Sequence, residues 1–357
     1  MKKFAIFLPQ FHEIEDNNKW WGKGYTEWTC VKNAKPLYGG HNQPKIPLNN
    51  NYYDLTDKNT VKWQTEIANE YGIDGFIYYH YYFTGKLIME KPAENLLMWK
   101  DIPQKFFFCW ANHTWVKGKG PDRKILIEQE YGDEKDWERH INYLMNFFKD
   151  ERYEKKDNKP LLMIYNSNFK EKKSMIDFFE TKCIEQGFKG IYIIETYTGS
   201  PQKKDVSSFV ENTTDQTNMI YYREPNVATS VYYKRRPWLR LYHKFLREGN
   251  RKIFKNKVAK ISGEKLYNIM KRYDISNTED KLITRGLFFE WDNTPRHASR
   301  GYVISPPEYE SFKEYIKLIK DDEYVFINAW NEWAEGMMLE PTESLKYKYL
   351  EWIKSVD

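Results

Sequence analysis

The sequence predicts an α/β fold of the (β/α)8 TIM barrel class. Three observations carry that prediction. Eight short apolar runs recur along the chain, each of a length and composition suited to a strand buried on both faces. Segments with helical spacing of apolar residues separate them, the alternation expected of a parallel sheet covered by helices. No run is followed by GxGxxG or GxxxxGK[ST], so the phosphate fingerprints of open nucleotide-binding sheets are missing. Eight strand–helix units in 357 residues fit one closed barrel better than an open, doubly wound sheet.

Each element can be justified in order. KFAIFLPQ opens the chain as a strand, and VKWQTEIANEYG reads as an amphipathic helix ending at Gly72. IDGFIYYHYYF is the second strand, followed by the short helix AENLLMWK. KFFFCWAN is the third, and the helix DEKDWERHINYLMNFFKD after it opens with acids that suit the positive end of a helix dipole. KPLLMIYNS is the fourth strand, and SMIDFFETKCIEQG is a helix stopped by glycine. GIYIIETYT is the fifth strand and NMIYY a weak sixth. RGLFFEW is the seventh, followed by the helix PEYESFKEYIKLIK; EYVFINAW is the eighth, before the closing helix SLKYKYLEWIK. No repeat or low-complexity linker divides the chain. Residues 1–357 therefore read as one domain, with an insertion at about 226–262 between the sixth and seventh strands.

Composition narrows the function classes. Hydrophobic residues make up 41% and charged residues 30%, as in an ordinary soluble globular protein. Aromatic residues reach 17%, which suits sugar-stacking surfaces as well as cores. A net charge of +5 is too mild to demand nucleic acid as a partner. Cys30, Cys109 and Cys183 are far apart, which argues against a disulfide scaffold or zinc site and fits a reducing cytoplasm. MKKFAIFLPQFHE starts like a signal peptide, but its apolar run is short and lacks a small-residue cleavage site, so it reads as the first strand. No run reaches the ~18 apolar residues of a membrane span.

In a barrel, functional residues sit at the C-terminal ends of strands and in the loops that follow. Strand 1 then contributes Gln10 and His12, strand 2 Tyr79, His80 and Tyr82, and strand 3 Trp110, Asn112 and His113. Strand 4 adds Tyr165 and Asn166, strand 5 Glu195, and strand 7 Glu290, Trp291 and Asp292. Strand 8 ends in NAWNEWAEG, with Asn331, Glu332, Trp333 and Glu335. Glu27 and Trp28 of GKGYTEW and Arg296 of EWDNTPR complete the set. Rings stack on sugar C–H faces while carboxylates and amides hold hydroxyls, so the mixture describes a glycan cleft.

Glu332 and Glu335 are the candidate catalytic pair. In a helical turn after the strand, positions i and i+3 share one side. Two carboxyls so close repel when both are ionised, which raises the pKa of one and makes it a proton donor near neutral pH. Glycosidic chemistry needs that division of labour. Plainer readings stand beside these: acids are favoured in a helix's first turn, His80 can be a hydrogen-bonded core histidine, and Glu290 to Arg296 can close a loop by a salt bridge. No HExxH or similar spacing exists, so neither metal nor cofactor is expected.

Lys234–Lys260 stands apart, with eleven Lys/Arg against the single acid Glu248 and apolar residues interleaved. Such a stretch suits peripheral contact with an anionic membrane surface or an acidic glycan. The plainer expectation is an inserted helix pair packing its apolar stripe on the barrel.

FAIFLPQFHEIEDNNKWWGKGYTEWTCVKNAKPLYGGHNQPKIP, GIDGFIYYHYYFTGK, FFFCWANHTW, EWDNTPR and NAWNEWAEGMMLEP together resemble, in order and over nearly the whole chain, the WbsX-type family. Its members are usually labelled glycosyltransferases of surface polysaccharide gene clusters. That family is in turn similar to the endo-α-mannosidase glycoside hydrolases, (β/α)8 barrels whose last strand carries an NEWxEG-type segment, matched here by Asn331 to Gly336. The resemblance implies that Glu335 is the acid/base on the glycosidic oxygen. It implies that Glu332 is a base on the sugar 2-hydroxyl, which attacks the anomeric carbon to give a transient 1,2-anhydro sugar. Ala334 stands where the mannosidases typically carry histidine, so the resemblance does not extend to mannose as the sugar. Two activities follow: a retaining glycosidase or transglycosidase, and a glycosyltransferase of O-antigen or capsular polysaccharide biosynthesis.

Overall fold

The computed structural model describes residues 1–118, 123–199, 209–248, 257–272 and 281–356. Eight parallel strands close into a (β/α)8 barrel. They are β1 Lys2–Phe7, β2 Gly75–Phe83, β3 Lys105–Trp110, β4 Lys159–Ile164, β5 Tyr192–Tyr197, β6 Thr217–Tyr222, β7 Leu282–Phe288 and β8 Tyr324–Asn328. Closure occurs at β1, where Phe4 is in register with Phe326 of β8 on one side and Gly75 of β2 on the other. The sixth strand, weak in the sequence, is present: β6 pairs in parallel with β5 and β7, with a register shift against β5 between Thr217 and Met219.

The helices are α1 Glu15–Trp21, α2 Glu27–Lys32, α3 Lys58–Glu70, α4 Lys91–Met98, α5 Glu134–Phe148 and α6 Lys172–Glu185, then α7 Glu224–Lys234, α8 Pro237–Glu248, α9 Gly263–Met270, α10 Thr294–His297, α11 Tyr309–Leu318 and α12 Lys348–Lys354. α1 and α2 lie in the long loop after β1 and were not legible as helices in the sequence. Asp57 and Asp133 cap α3 and α5 by accepting from Asn59 N and Asp136 N, which satisfies amides that the first turn leaves unpaired.

Side chains alternate across each strand with period two, and this decides which strand-end residues reach the barrel axis. Phe4, Phe107, Phe326 and Tyr221 meet inside, with ring centroids 5.1–5.8 Å apart, and fill the floor of the barrel. Phe106 and Phe108, on the other parity of β3, pack outward on Phe147 of α5. The burial of β2 on both faces follows from this double packing: every residue from Gly75 to Phe83 is buried.

Short strand pieces, most of them paired antiparallel, decorate the C-terminal end of the barrel. Trp115–Lys117 pairs with Lys124–Ile127 after β3. Ala259–Ile261, Tyr302–Ile304 and Trp291–Asp292 form a small sheet, and Asn331–Glu332 pairs with Met337–Met338. Within the segment 226–262, α8 departs from the expected packing. Its inward face is Leu239, His243 and Leu246, with His243 Nδ1 hydrogen-bonded to Tyr233 Oη at 2.8 Å. Trp238, Leu241, Tyr242 and Phe245 point outward instead, Trp238 at 81% exposure. Among the described residues no helix is long and apolar enough to cross a membrane.

Candidate active site

The chain beyond β8 is fixed to β1 before it delivers its acids. Asn331 Oδ1 accepts from Leu8 N at 2.7 Å and its Nδ2 donates to Leu8 O at 3.0 Å. A short 3₁₀ turn, Trp333–Glu335, then ends at Gly336 in the left-handed region at φ 57°. Glycine is required there twice over, since a Cβ would come within 2.9 Å of Asp292 Cβ and 3.0 Å of Asp292 N. Trp333 anchors the turn from below, its indole N–H donating to Glu340 Oε2 at 2.6 Å and its ring packed on Trp28.

Glu332 and Glu335 both open on a cavity of about 490 Å³ at the C-terminal end of the barrel. Gln10, Glu27, Tyr79, Tyr81, His113, Tyr165, Arg223, Trp291 and Arg296 help to line it, and Trp21, Tyr25 and Trp115 form an aromatic rim. Trp115 packs edge-on to Tyr81 at 5.0 Å and to Trp20 at 5.7 Å, and Lys117 Nζ donates to Trp20 O at 2.7 Å. These contacts join the ribbon after β3 to α1 across the opening.

Glu332 is buried, and its Oε2 sits 3.8 Å from Arg296 Nη2, outside hydrogen-bond range. Arg296 is committed instead to Glu27, at 2.5 Å. Glu27 is held in place at the start of α2, where Thr26 and Thr29 form a capping box. Burial first, and then the neighbouring Glu335, push Glu332 up to about 8; Arg296 opposes the shift. Burial likewise raises Glu27, against the pull of Arg296. On the opposite wall, Arg223 Nη1 donates to Asn226 Oδ1 at 2.6 Å and to Tyr165 Oη at 3.3 Å, and its Nε to Asn328 Oδ1 at 3.2 Å. This places two guanidinium groups and three carboxyls around one opening.

Of the residues read from the sequence, Gln10, Glu27, Tyr79, His113, Tyr165, Trp291, Arg296, Glu332 and Glu335 are brought together on this cavity. The others take positions around it. His80 and Trp110 lie on the outward parity of β2 and β3, where His80 Nε2 and His140 Nε2 of α5 are 2.9 Å apart. Burial lowers His80 to about 3, so its ring is neutral. Trp110 donates to Tyr82 O at 3.2 Å, and its ring meets that of His140. Glu195 faces outward to Lys172 at 3.0 Å and Thr217 Oγ1 at 2.6 Å. Asn112 clamps the loop after β4 through both Asn166 O and Asn166 N, at 2.8 and 2.7 Å. Glu290 pairs with Lys45 at 2.5 Å. Asp292 accepts from Gln43 Nε2 at 2.7 Å and is hydrogen-bonded to His41 Nε2 at 2.8 Å. His12 is buried, and Trp28 donates to Tyr53 O at 2.8 Å beneath the turn after β8.

Sequence reasoning missed several lining residues, among them Tyr81, Trp115 and, above all, Arg223. It follows directly on β6, so the rule that assigned the other strand ends finds it once NMIYY is accepted as a strand. Ala334 is fully buried and does not line the cavity. Among the described residues, no group of three or more His, Cys, Asp or Glu is arranged to hold a metal ion.

A family model described as Glycosyltransferase WbsX matches residues 3–353. The chain belongs to that family. Two proteins of Xanthomonas campestris pv. campestris, both described as uncharacterized protein WxcX, are 28% and 29% identical to it over 97% of this chain. The chain spans about half the length of these relatives, 48%. Among solved structures, the GH99 endo-alpha-mannosidase from Bacteroides thetaiotaomicron is similar at a TM-score of 0.56 and 12% identity, over 99% of this chain and 97% of that one. A glycoside hydrolase-like protein is similar at a TM-score of 0.56 and 11% identity, over 99% and 92%. At these identities the likeness concerns the fold.

Proposed function

We propose that this chain acts on glycosidic bonds of a bacterial-type surface polysaccharide or oligosaccharide by a retaining mechanism that divides the proton transfers between Glu332 and Glu335. The observation that carries this reading is the placement of both carboxyls on one cavity, with Glu332 buried and only distantly compensated by Arg296. In the first step Glu332 takes the proton of the sugar 2-hydroxyl, O2 attacks the anomeric carbon, and Glu335 protonates the departing glycosidic oxygen. The 1,2-anhydro sugar then opens. Water or an acceptor hydroxyl attacks the anomeric carbon and gives its proton to Glu335, while Glu332 returns its proton to O2. Each inversion undoes the other, so the anomeric configuration is retained.

The electrostatics set a condition on this scheme. Glu332 accepts a proton only when ionised, and burial with the neighbouring Glu335 disfavours that form near neutral pH. The same rise in pKa makes the ionised form a stronger base toward a hydroxyl. The aromatic rim of Trp21, Tyr25 and Trp115 supplies stacking faces for a sugar ring.

The family's description favours a second reading: a glycosyltransferase of O-antigen or capsular polysaccharide biosynthesis. A glycan screen with and without nucleotide sugars separates the two. Release of a reducing sugar, or transfer between glycans, without any nucleotide supports the first; strict dependence on a nucleotide sugar establishes the second.

A further inference from the structure

The apolar residues of α8 are on the wrong side for a helix that packs against a barrel. Trp238, Leu241, Tyr242 and Phe245 recur at i, i+3, i+4 and i+7 and share one face. Trp238 is 81% exposed, Leu241 56% and Tyr242 48%. A third face carries Arg240, Lys244 and Arg247, all exposed, and Arg235 and Arg236 precede the helix. Among the described residues its basic–acidic contact is the loose pairing of Lys244 with Glu248, at 3.9 Å. The helix thus presents an apolar stripe flanked by positive charge, over a separate inward face that holds it to the protein.

α8 is joined to the wall of the cavity through intermediate residues. Arg247 Nε donates to Arg300 O at 3.1 Å, in the turn that follows α10 and its Arg296. The Arg247 guanidinium lies 5.6 Å from the Tyr302 ring, and Tyr302 packs on Trp291, which lines the cavity.

We propose that α8 docks this protein on an anionic lipid bilayer, with Trp238, Leu241 and Tyr242 entering the headgroup layer and the flanking arginines and lysines meeting acidic headgroups. Basic charge next to bulky apolar side chains is the composition of an interfacial helix. An acidic polysaccharide would match the charge but offers no apolar environment for Leu241. A second copy of the chain would bring one basic stripe against another. The mode is surface contact, since no described helix is able to span a bilayer.

The test is co-sedimentation of the full chain with vesicles of phosphatidylcholine alone and with vesicles of equal parts phosphatidylcholine and phosphatidylglycerol, at low and high salt. The chain should pellet with the acidic vesicles only, and salt should release it. Trp238→Ser with Leu241→Ser should weaken that binding about tenfold or more, with the unfolding midpoint unchanged because both side chains are exposed. No pelleting with acidic vesicles at low salt overturns the proposal. So does full binding by the double variant, which leaves only attraction to a polyanion, or a stable dimer in solution that the double variant dissociates. A chain that hydrolyses no glycan still reports vesicle binding, so this inference and the proposed activity fail separately.

Discussion

Glu27 and Glu332 are two buried carboxyls beside one guanidinium, and Arg296 is shared unequally between them, at 2.5 and 3.8 Å. This asymmetry keeps Glu332 a strong base. Glu27→Gln removes one negative neighbour and frees Arg296 for Glu332, so both effects lower the Glu332 pKa. The acid limb of kcat/KM, expected near pH 8 in the native chain, should fall by about one pH unit or more in this variant. A pH–rate profile reads the shift directly; an unmoved limb would mean that Glu332 does not set it. Glu332→Gln and Glu335→Gln should each reduce turnover by about 10²–10⁴-fold or more while leaving glycan binding measurable by calorimetry. At this scale the sequence revealed the acids and much of the lining but not the parity of the strands. His80, Trp110 and Glu195 stand at strand ends as plausibly as Tyr79, and only the two-residue alternation sends them to the helix layer.

The turn after β8 shows how an element holds the proposed acid/base, Glu335. Asn331 joins the turn to β1, Trp333 pins it on Glu340, and Gly336 lets the chain turn back beside Asp292. Gly336→Ala forces a Cβ against Asp292 and a left-handed φ on a residue that resists it. We expect a loss of about 1–3 kcal/mol in urea unfolding. A fall in turnover should accompany it, because the adjoining Glu335 shifts with the turn. The eight strands and most of the shell helices were legible because periodicity is written locally along the chain. α1, α2 and the ribbon beside Trp115 were not. They are short, and what holds them is tertiary, as in the bond from Lys117 to Trp20 O and the packing of Trp20 on Trp115. The outward stripe of α8 was misjudged for a related reason: amphipathicity shows that a helix has an apolar face, not what that face meets.

Across the whole molecule, catalysis and stability make opposite demands on buried carboxyls. Burial pushes Glu224 and Glu332 up to about 8 and Glu340 up to about 7. In the unfolded chain such groups titrate near ~4.3. Between these values the folded state binds more protons, so stability falls as pH rises. The contribution is complete below the unfolded pKa and is lost as pH passes through about 7 to 8. Urea midpoints should therefore decline from mildly acidic to mildly alkaline pH, over the range in which ionisation of Glu332 raises activity. Glu332→Gln should flatten part of that decline.

The central claim is that Glu332 and Glu335 carry out retaining glycosidic chemistry without a nucleotide donor. Proton NMR of the anomeric centre in the first-formed product, from a glycan cleaved without nucleotide sugar, tests it most directly. The account predicts retained configuration in the native chain and no product signal with Glu335→Gln. Inverted product, or undiminished product from that variant, would contradict it.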